Sequence, residues 1–139
     1  MNRFSFAVLL AVVGAGAFWL WQDRAGTGPA ATGDPMVQVT APATLSAQAA
    51  DGARAFAANC ASCHGENGAG RDGIAPPLIH KIYEPSHHSD MAFILAARNG
   101  VPAHHWPFGS MAPVPGVTDT DLAGIIRFIR EVQVANGIL

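Results

Sequence analysis

The sequence predicts an all-α protein in which three short helices form one small domain behind an apolar N-terminal segment and a linker. Three observations lead to this prediction. Apolar residues recur at helical spacing in three C-terminal segments, no segment alternates as a half-buried strand would, and the first residues are almost all apolar. Fifteen Gly and ten Pro residues indicate irregular backbone between the helices.

The composition excludes several classes of protein. Eight Lys and Arg against ten Asp and Glu give a net charge of −2, and without a basic run the chain is not suited to nucleic acid. Two cysteines, Cys60 and Cys63, are too few for a disulfide-rich scaffold. Because no stretch of the sequence repeats, a solenoid is excluded as well.

Residues 1–21 are predicted to be a signal anchor that crosses a membrane. Phe4 to Trp21 carries no charge, and as a helix it would span about 27 Å, close to the thickness of a bilayer core. Trp19 and Trp21 stand where an aromatic belt would meet the headgroups. A cleaved signal peptide is the alternative, because residues 15–17 fit an A-x-A cleavage pattern. Both readings predict that the rest of the chain is exported.

Residues 22–44 are predicted to be a flexible linker, since they are rich in Gly, Pro, Ala and Thr and show no helical or strand period. The folded domain is then expected at residues 45–139. Its first helix begins at about Ser46, a plausible N-cap, and runs into the cysteine pair. One face of this helix carries Ala53, Phe56, Ala57 and Cys60.

The second helix is predicted from Asp90 to Arg98, with Ser89 as its cap and Gly100 as its stop signal. Its apolar stripe consists of Met91, Ile94 and Leu95. The third helix begins at the capping box Thr118-x-x-Asp121 and ends near Asn136-Gly137. It keeps one apolar face of Leu122, Ile125, Ile126, Ile129 and Val132. Three short helices make a small core, so a further group is expected to fill the centre.

The motif Cys60-Ala61-Ser62-Cys63-His64 is the attachment signature of a c-type haem. Two thiols one helical turn apart add to the two vinyl groups of one porphyrin, and the adjacent imidazole binds the iron. A thioredoxin-like redox pair is disfavoured because no βαβ pattern surrounds the motif. A structural zinc site would need further ligands, which His80 or the later histidine pairs could supply.

Met111 is the candidate for the second axial ligand of the iron. Met1 and Met36 lie outside the predicted domain, and Met91 lies on the apolar stripe of the second helix, where core packing is expected. Met111 instead follows a loop rich in Gly and Pro that could approach a flat cofactor. In the same loop, Trp106 could line the haem edge or bond a propionate, or it could simply pack.

Together these motifs resemble the class I cytochromes c, particularly the small membrane-anchored ones of bacteria. The resemblance covers Leu45 to Val132. It implies the small cytochrome c fold, with three to four short helices around one covalently bound haem c. It also implies that Gly52 and Phe56 pack against the C-terminal helix, at Ile125 and Phe128.

The resemblance assigns roles to two further residues. The carbonyl of Pro76, twelve residues after His64, would accept a hydrogen bond from the proximal histidine and fix its tautomer. Met111 matches the family's distal methionine, although Ala112 separates it from Pro113 where many members have Met-Pro directly.

Five histidines are not explained by the resemblance, and all lie within 26 residues: His80, His87, His88, His104 and His105. Three interpretations remain open. They could be exposed loop residues or propionate partners, they could form a second site for copper or zinc, or His104 or His105 could replace Met111 at the iron.

The resemblance implies an electron carrier rather than an enzyme, with a low-spin haem that cycles between Fe(II) and Fe(III). The expected partners are a quinol-oxidising cytochrome bc complex and a terminal oxidase or periplasmic dehydrogenase. The expected location is the bacterial inner membrane, crossed once, with the haem domain in the periplasm. Two alternatives are a haem sensor or enzyme with an open iron position, and a metal-handling protein built around the histidines. Because Lys81 is the single lysine, we expect apolar docking around Val101, Pro102, Ala112 and Val114.

Overall fold

Four α-helices and two short 3₁₀ turns make up the regular structure of the described residues, 31–139, which contain isolated bridges but no strand. The helices are α1 (Ala47–Asn59), α2 (Ala61–His64), α3 (Asp90–Asn99) and α4 (Asp119–Ala135), and the 3₁₀ turns are Glu66–Gly68 and Lys81–Tyr83. The all-α prediction is therefore confirmed for this part of the chain. The structure is a computed structural model, and the predicted signal anchor lies outside the described residues.

The helices begin where the sequence signals predict. The Ser46 side chain accepts a hydrogen bond from the backbone N–H of Ala49 at 3.3 Å and caps α1. Thr118 and Asp121 form the full capping box of α4, in which each side chain accepts a hydrogen bond from the other residue's backbone N–H. Ser89 stands at the cap position of α3 but makes no capping hydrogen bond through its side chain.

The tightest packing in the fold is the crossing of α1 over α4. A Cβ placed on Gly52 would lie 1.8 Å from the carbonyl oxygen of Gly124, so the two backbones touch. One turn along each helix, the rings of Phe56 and Phe128 pack with centroids 5.5 Å apart, and both are buried. This arrangement is the one that the resemblance to class I cytochromes c implies.

The apolar faces predicted for α1 and α3 differ in part from those observed. Ala57 is exposed, and the buried face of α1 is formed by Ala49, Gly52 and Phe56. Met91 is 57% exposed, so the prediction that it packs in the core is wrong. None of the residues of α3 is fully buried. Leu95 and Ala96 line a cavity, and Ile94 packs partly buried against the core.

Residues 31–44 lie against the domain, although they form no helix or strand. The backbone N–H groups of Met36 and Val37 donate to the carbonyl of Ala69 at 3.1 and 3.2 Å. The backbone N–H of Thr40 donates to Oδ1 of Asn136, and the carbonyl of Thr40 accepts from Nδ2 of Asn136, both at 2.9 Å. These residues are therefore part of the folded unit and do not extend from it as a free coil. Within residues 31–139, no helix is long and apolar enough to cross a membrane.

A polar network joins α4 to the segment that precedes α3. The Arg130 guanidinium donates to the carbonyls of Tyr83 and His88 at 2.7 and 2.6 Å, and its Nε bonds Asp90 at 2.8 Å. Buried Gln133 donates to the carbonyls of Leu78 and Tyr83 at 2.9 and 3.0 Å. Because these carbonyls belong to irregular backbone, the network satisfies groups that no helix or strand ladder could satisfy.

At the helix crossing, packing and helix propensity should have opposite effects on the stability of a glycine-to-alanine variant. An alanine replacing glycine inside a helix normally stabilises it by about 0.5–1 kcal/mol. At Gly52 the added methyl collides with backbone, and overpacking of this kind costs about 1–3 kcal/mol. Gly52→Ala should therefore lower the thermal midpoint of the folded protein, measured by circular dichroism.

The matched control lies on the exposed side of the same helix. Ala57→Gly should lose only the propensity difference of about 1 kcal/mol. A Gly52→Ala protein that melts above the wild type would contradict the close contact between α1 and α4.

Candidate functional site

A cavity of about 730 Å³ opens between α1–α2, α3, the loop 100–115 and the apolar face of α4. This volume lies within the range of about 300–1,000 Å³ that is typical of cofactor and ligand sites. Its walls are predominantly apolar. All six residues predicted for the haem site line it: Cys60, Cys63, His64, Pro76, Trp106 and Met111.

His64 is the last residue of α2 and is buried in the cavity wall. Its Nδ1 lies 2.9 Å from the carbonyl oxygen of Pro76, so Nδ1 carries the proton and donates. Burial lowers the pKa of His64, and the hydrogen bond to Pro76 opposes this shift. The neutral imidazole therefore keeps its lone pair on Nε2, the atom that a metal ion would bind.

The Pro76 carbonyl is held by the turn that follows α2. Leu78 and Ile79 donate their backbone N–H groups to the carbonyl of Gly68 at 2.8 and 3.3 Å. Gly70 has φ +76° and lies against Pro77, where a Cβ would come within 2.6 Å of the Pro77 nitrogen. Because of this close approach the chain folds back, and the carbonyl of Pro76 reaches the ring of His64, twelve residues earlier in the sequence.

Cys60 and Cys63 stand one helical turn apart at the junction of α1 and α2. Burial, followed by the charge of Cys63, raises the pKa of the Cys60 thiol to about 11. The free Cys60 thiol is therefore neutral at physiological pH. A thioether at this position would likewise place no charge in the apolar wall. Cys63 is exposed.

Met111 lies far from His64 in the sequence, in the loop between α3 and α4, and is half-buried. Its backbone forms a two-hydrogen-bond bridge with Val101, each bond 2.9 Å long, which closes the loop between them. Gly100 ends α3 with φ +74°, and a Cβ there would lie 2.5 Å from the carbonyl oxygen of Met111. Only glycine lets the end of α3 approach Met111 this closely.

Trp106 has a buried indole Nε1 that lacks a hydrogen-bond partner within residues 31–139. The ring is held by Phe108, stacked at 5.9 Å, and by His80, edge-on at 5.3 Å. Burial raises the pKa of the neighbouring Tyr83 hydroxyl and an interaction with the Trp106 side chain lowers it, so the two groups lie close together without full hydrogen-bond geometry. Buried donors are nearly always bonded in folded proteins, so this N–H suits an acceptor atom of a bound group.

The residues present fit a haem. Apolar walls suit a porphyrin, the unpartnered Trp106 N–H suits a propionate, and the His64 Nε2 and the Met111 thioether are the kinds of atom that bind haem iron. Met91, the other methionine of the predicted helical part, does not line the cavity.

Four of the five histidines pack together, with ring centroids 4.3 to 6.1 Å apart, and His80 lies apart from them against Trp106. His80 accepts a hydrogen bond from the backbone N–H of Ile82 at 3.2 Å. His104 donates from Nδ1 to the carbonyl of Pro102 at 2.8 Å. His87, His88 and His105 come together, with one ligating atom of each within 4.8 Å of the others.

Two residues that hold the site in place were not predicted from the sequence. Arg71 donates to the carbonyl of Ser62, inside the cysteine motif, at 2.6 Å, and to that of Gly33 at 3.3 Å. Gly100 was predicted only as a helix stop, without its contact to Met111. The sequence predicts a positive φ at a glycine that ends a helix. It does not predict these two contacts, because they form between segments that are brought together only by the fold.

Comparison with known proteins gives one match. The family model described as Cytochrome c matches residues 49–133, which is more than half of the chain and includes every residue of the site described above. No curated protein and no solved structure matches the chain.

Proposed function

Because the chain belongs to the cytochrome c family, we propose that it is an electron carrier with one haem c. In this proposal Cys60 and Cys63 hold the haem through thioethers, and His64 and Met111 are the axial ligands. The observation that carries the proposal is that His64 and Met111, far apart in sequence, line the same cavity together with both cysteines.

The chain's own residues account for a carrier rather than an enzyme. The Pro76 carbonyl keeps the proton on Nδ1 of His64, so Nε2 is directed to ligation and its basicity is raised. Met111 would supply a second protein ligand, and an iron bound by both side chains would have no position left for a substrate. A haem held in this way supplies one electron at a time, between Fe(II) and Fe(III), and methionine ligation raises its potential.

The cavity walls and Trp106 would keep this site dry and oriented. Apolar side chains from α3 and α4 exclude water from the region around the two axial residues. The buried Nε1 of Trp106 is the donor suited to a propionate, which would fix the rotation of the ring in its plane.

We further propose that the carrier works between membrane complexes, such as a quinol-oxidising cytochrome bc complex and a terminal oxidase or periplasmic dehydrogenase. The apolar segment 4–21 supports a membrane anchor with the domain in the periplasm.

The ligation proposal predicts the effect of two glycine substitutions in the Met111 loop. Gly100→Ala adds a Cβ that lies 2.5 Å from the Met111 carbonyl, so it should displace Met111. The near-infrared sulfur-to-iron band of the oxidised protein should be lost or strongly reduced. Met111→Ala serves as the reference variant in which the band should be absent.

Gly109→Ala is the matched control. Gly109 also has a positive φ, +88°, but a Cβ there meets nothing within 4 Å. This variant carries the same kind of backbone strain and should keep the band. If the band survives in Met111→Ala, Met111 is not the ligand. In that case, binding of carbon monoxide to the haem of the wild-type protein would favour a sensor or an enzyme over a carrier.

Docking to partners should depend little on salt. The chain has a single lysine, Lys81, and the exposed residues that line the cavity near Met111 include the apolar Pro102, Ala112 and Pro113. Apolar docking is not screened by ions. The rate of electron delivery to a partner oxidase should change less than about threefold between low and physiological salt. A fall of tenfold or more, measured by stopped-flow oxidation, would contradict apolar docking.

A further inference from the structure

The histidine cluster, His87, His88 and His105, supplies no ligand to the haem site proposed above. We propose that it is a binding site for one divalent transition-metal ion of the class that prefers imidazole, Zn²⁺ or Cu²⁺. The three imidazoles would supply three ligands, and solvent would supply the fourth.

The distances within the cluster suit a metal ion. The Nε2 atoms of His87 and His105 lie 3.5 Å apart. Two nitrogens that each bind a tetrahedral zinc ion at about 2.0–2.1 Å are about 3.4 Å from each other. One ligating atom of His88 also lies within 4.8 Å of the other two, so a movement of about an ångström would complete the set.

The tautomer of His88 leaves its Nε2 atom able to bind an ion. Its Nδ1 lies 2.6 Å from the carbonyl oxygen of Ile82, so Nδ1 donates its proton there. The lone pair is thereby left on Nε2. A backbone carbonyl that accepts from the second nitrogen is the usual outer partner of a metal-binding histidine.

The backbone that carries two of the three histidines is firmly held. The N–H groups of His87 and His88 both donate to the carbonyl of Glu84, at 3.0 and 2.8 Å. The carbonyl of His88 accepts from Arg130 of α4 at 2.6 Å. The cluster is thus preorganised on this side, and His105 approaches it from the loop between α3 and α4.

Exposure and charge separate a metal site from a simple imidazole hydrogen bond. His87 and His105 are exposed, so an ion can enter and keep one coordination position open to solvent. The third ring lies 4.8 Å from His87 and 5.3 Å from His105 between centroids, and its own bond to the Ile82 carbonyl holds it there without an ion. An ion could therefore bind between three imidazoles that the chain already holds close together. No acidic side chain belongs to the cluster within the described residues, which favours an ion that binds nitrogen over Mg²⁺ or Ca²⁺.

An ion at this position would join two parts of the chain that border the cavity. His87 and His88 belong to the turn before α3, and His105 belongs to the loop that carries Trp106 and Met111. His88 and His105 themselves line the cavity. Metal binding would therefore hold the Met111 loop against the turn before α3.

The test is a titration of the purified full-length protein, with its haem bound and with trace metal removed by a chelator. Isothermal titration with Zn²⁺ should give one equivalent bound at micromolar affinity or tighter, and Mg²⁺ should not bind. The Cu²⁺-loaded protein should show nitrogen hyperfine splitting in its electron paramagnetic resonance spectrum. His87→Gln and His105→Gln should each weaken Zn²⁺ binding by more than about 10- to 100-fold, the range seen when only an outer partner is lost.

His104→Gln is the matched control, because the His104 ring packs against that of His105 at 4.3 Å between centroids, yet His104 is not one of the three residues whose ligating atoms lie within 4.8 Å of one another. It should bind Zn²⁺ as the wild type does. Undetectable Zn²⁺ binding by the wild type, equal loss in His104→Gln, or full binding by a His87→Gln/His105→Gln double variant would each overturn the site. The haem absorption spectrum of every variant reports on the proposed carrier function separately, so failure of one proposal is distinguishable from failure of the other.

Discussion

The contact between Gly52 and Gly124 is the constraint on which the rest of the structure depends. It lets α1 and α4 approach until their backbones touch, and this approach fixes where each helix leads. The end of α1 carries Cys60 directly into the wall of the cavity. The far end of α4 holds the segment before α3 through Arg130 and Gln133. A domain with so few helices has little other packing to set these positions, so the crossing determines both sides of the site.

Within this frame the two residues proposed as iron ligands are supported in different ways. His64 is held rigidly, because it is buried, lies on a helix and bonds the carbonyl of Pro76. Met111 lies on a loop that is closed by its bridge to Val101 and that passes close to Gly100. In the proposed carrier, contacts of the chain itself would hold both ligands, the helix-borne one more rigidly, so the site would have little to reorganise when its charge changes. The proposed metal site would act on the less rigid of the two sides.

Sequence reasoning was strongest where the signal is local. The capping box at Thr118, the cap at Ser46 and the apolar face of α4 depend on near neighbours, and the structure has them as predicted. It failed where tertiary packing decides. Met91 shares a helical stripe with cavity residues yet points into solvent, because α3 faces a cavity and buries no complete face. Residues 31–44 read as a linker because their contacts are hydrogen bonds between irregular backbone segments, which leave no period in the sequence. The histidines were visible as pairs, but their grouping as His87, His88 and His105 depends on how two loops meet.

The central claim is that this domain is built around one haem attached through Cys60 and Cys63. The most direct measurement is the intact mass of the protein expressed with a cytochrome c maturation system, combined with its pyridine haemochrome spectrum after extraction with acidified acetone. The account predicts the mass of the chain plus one haem, retention of colour by the protein, and the absorption maximum of a haem with two thioether bonds. A protein with the mass of the bare chain, or one whose haem passes entirely into the acetone, would contradict it.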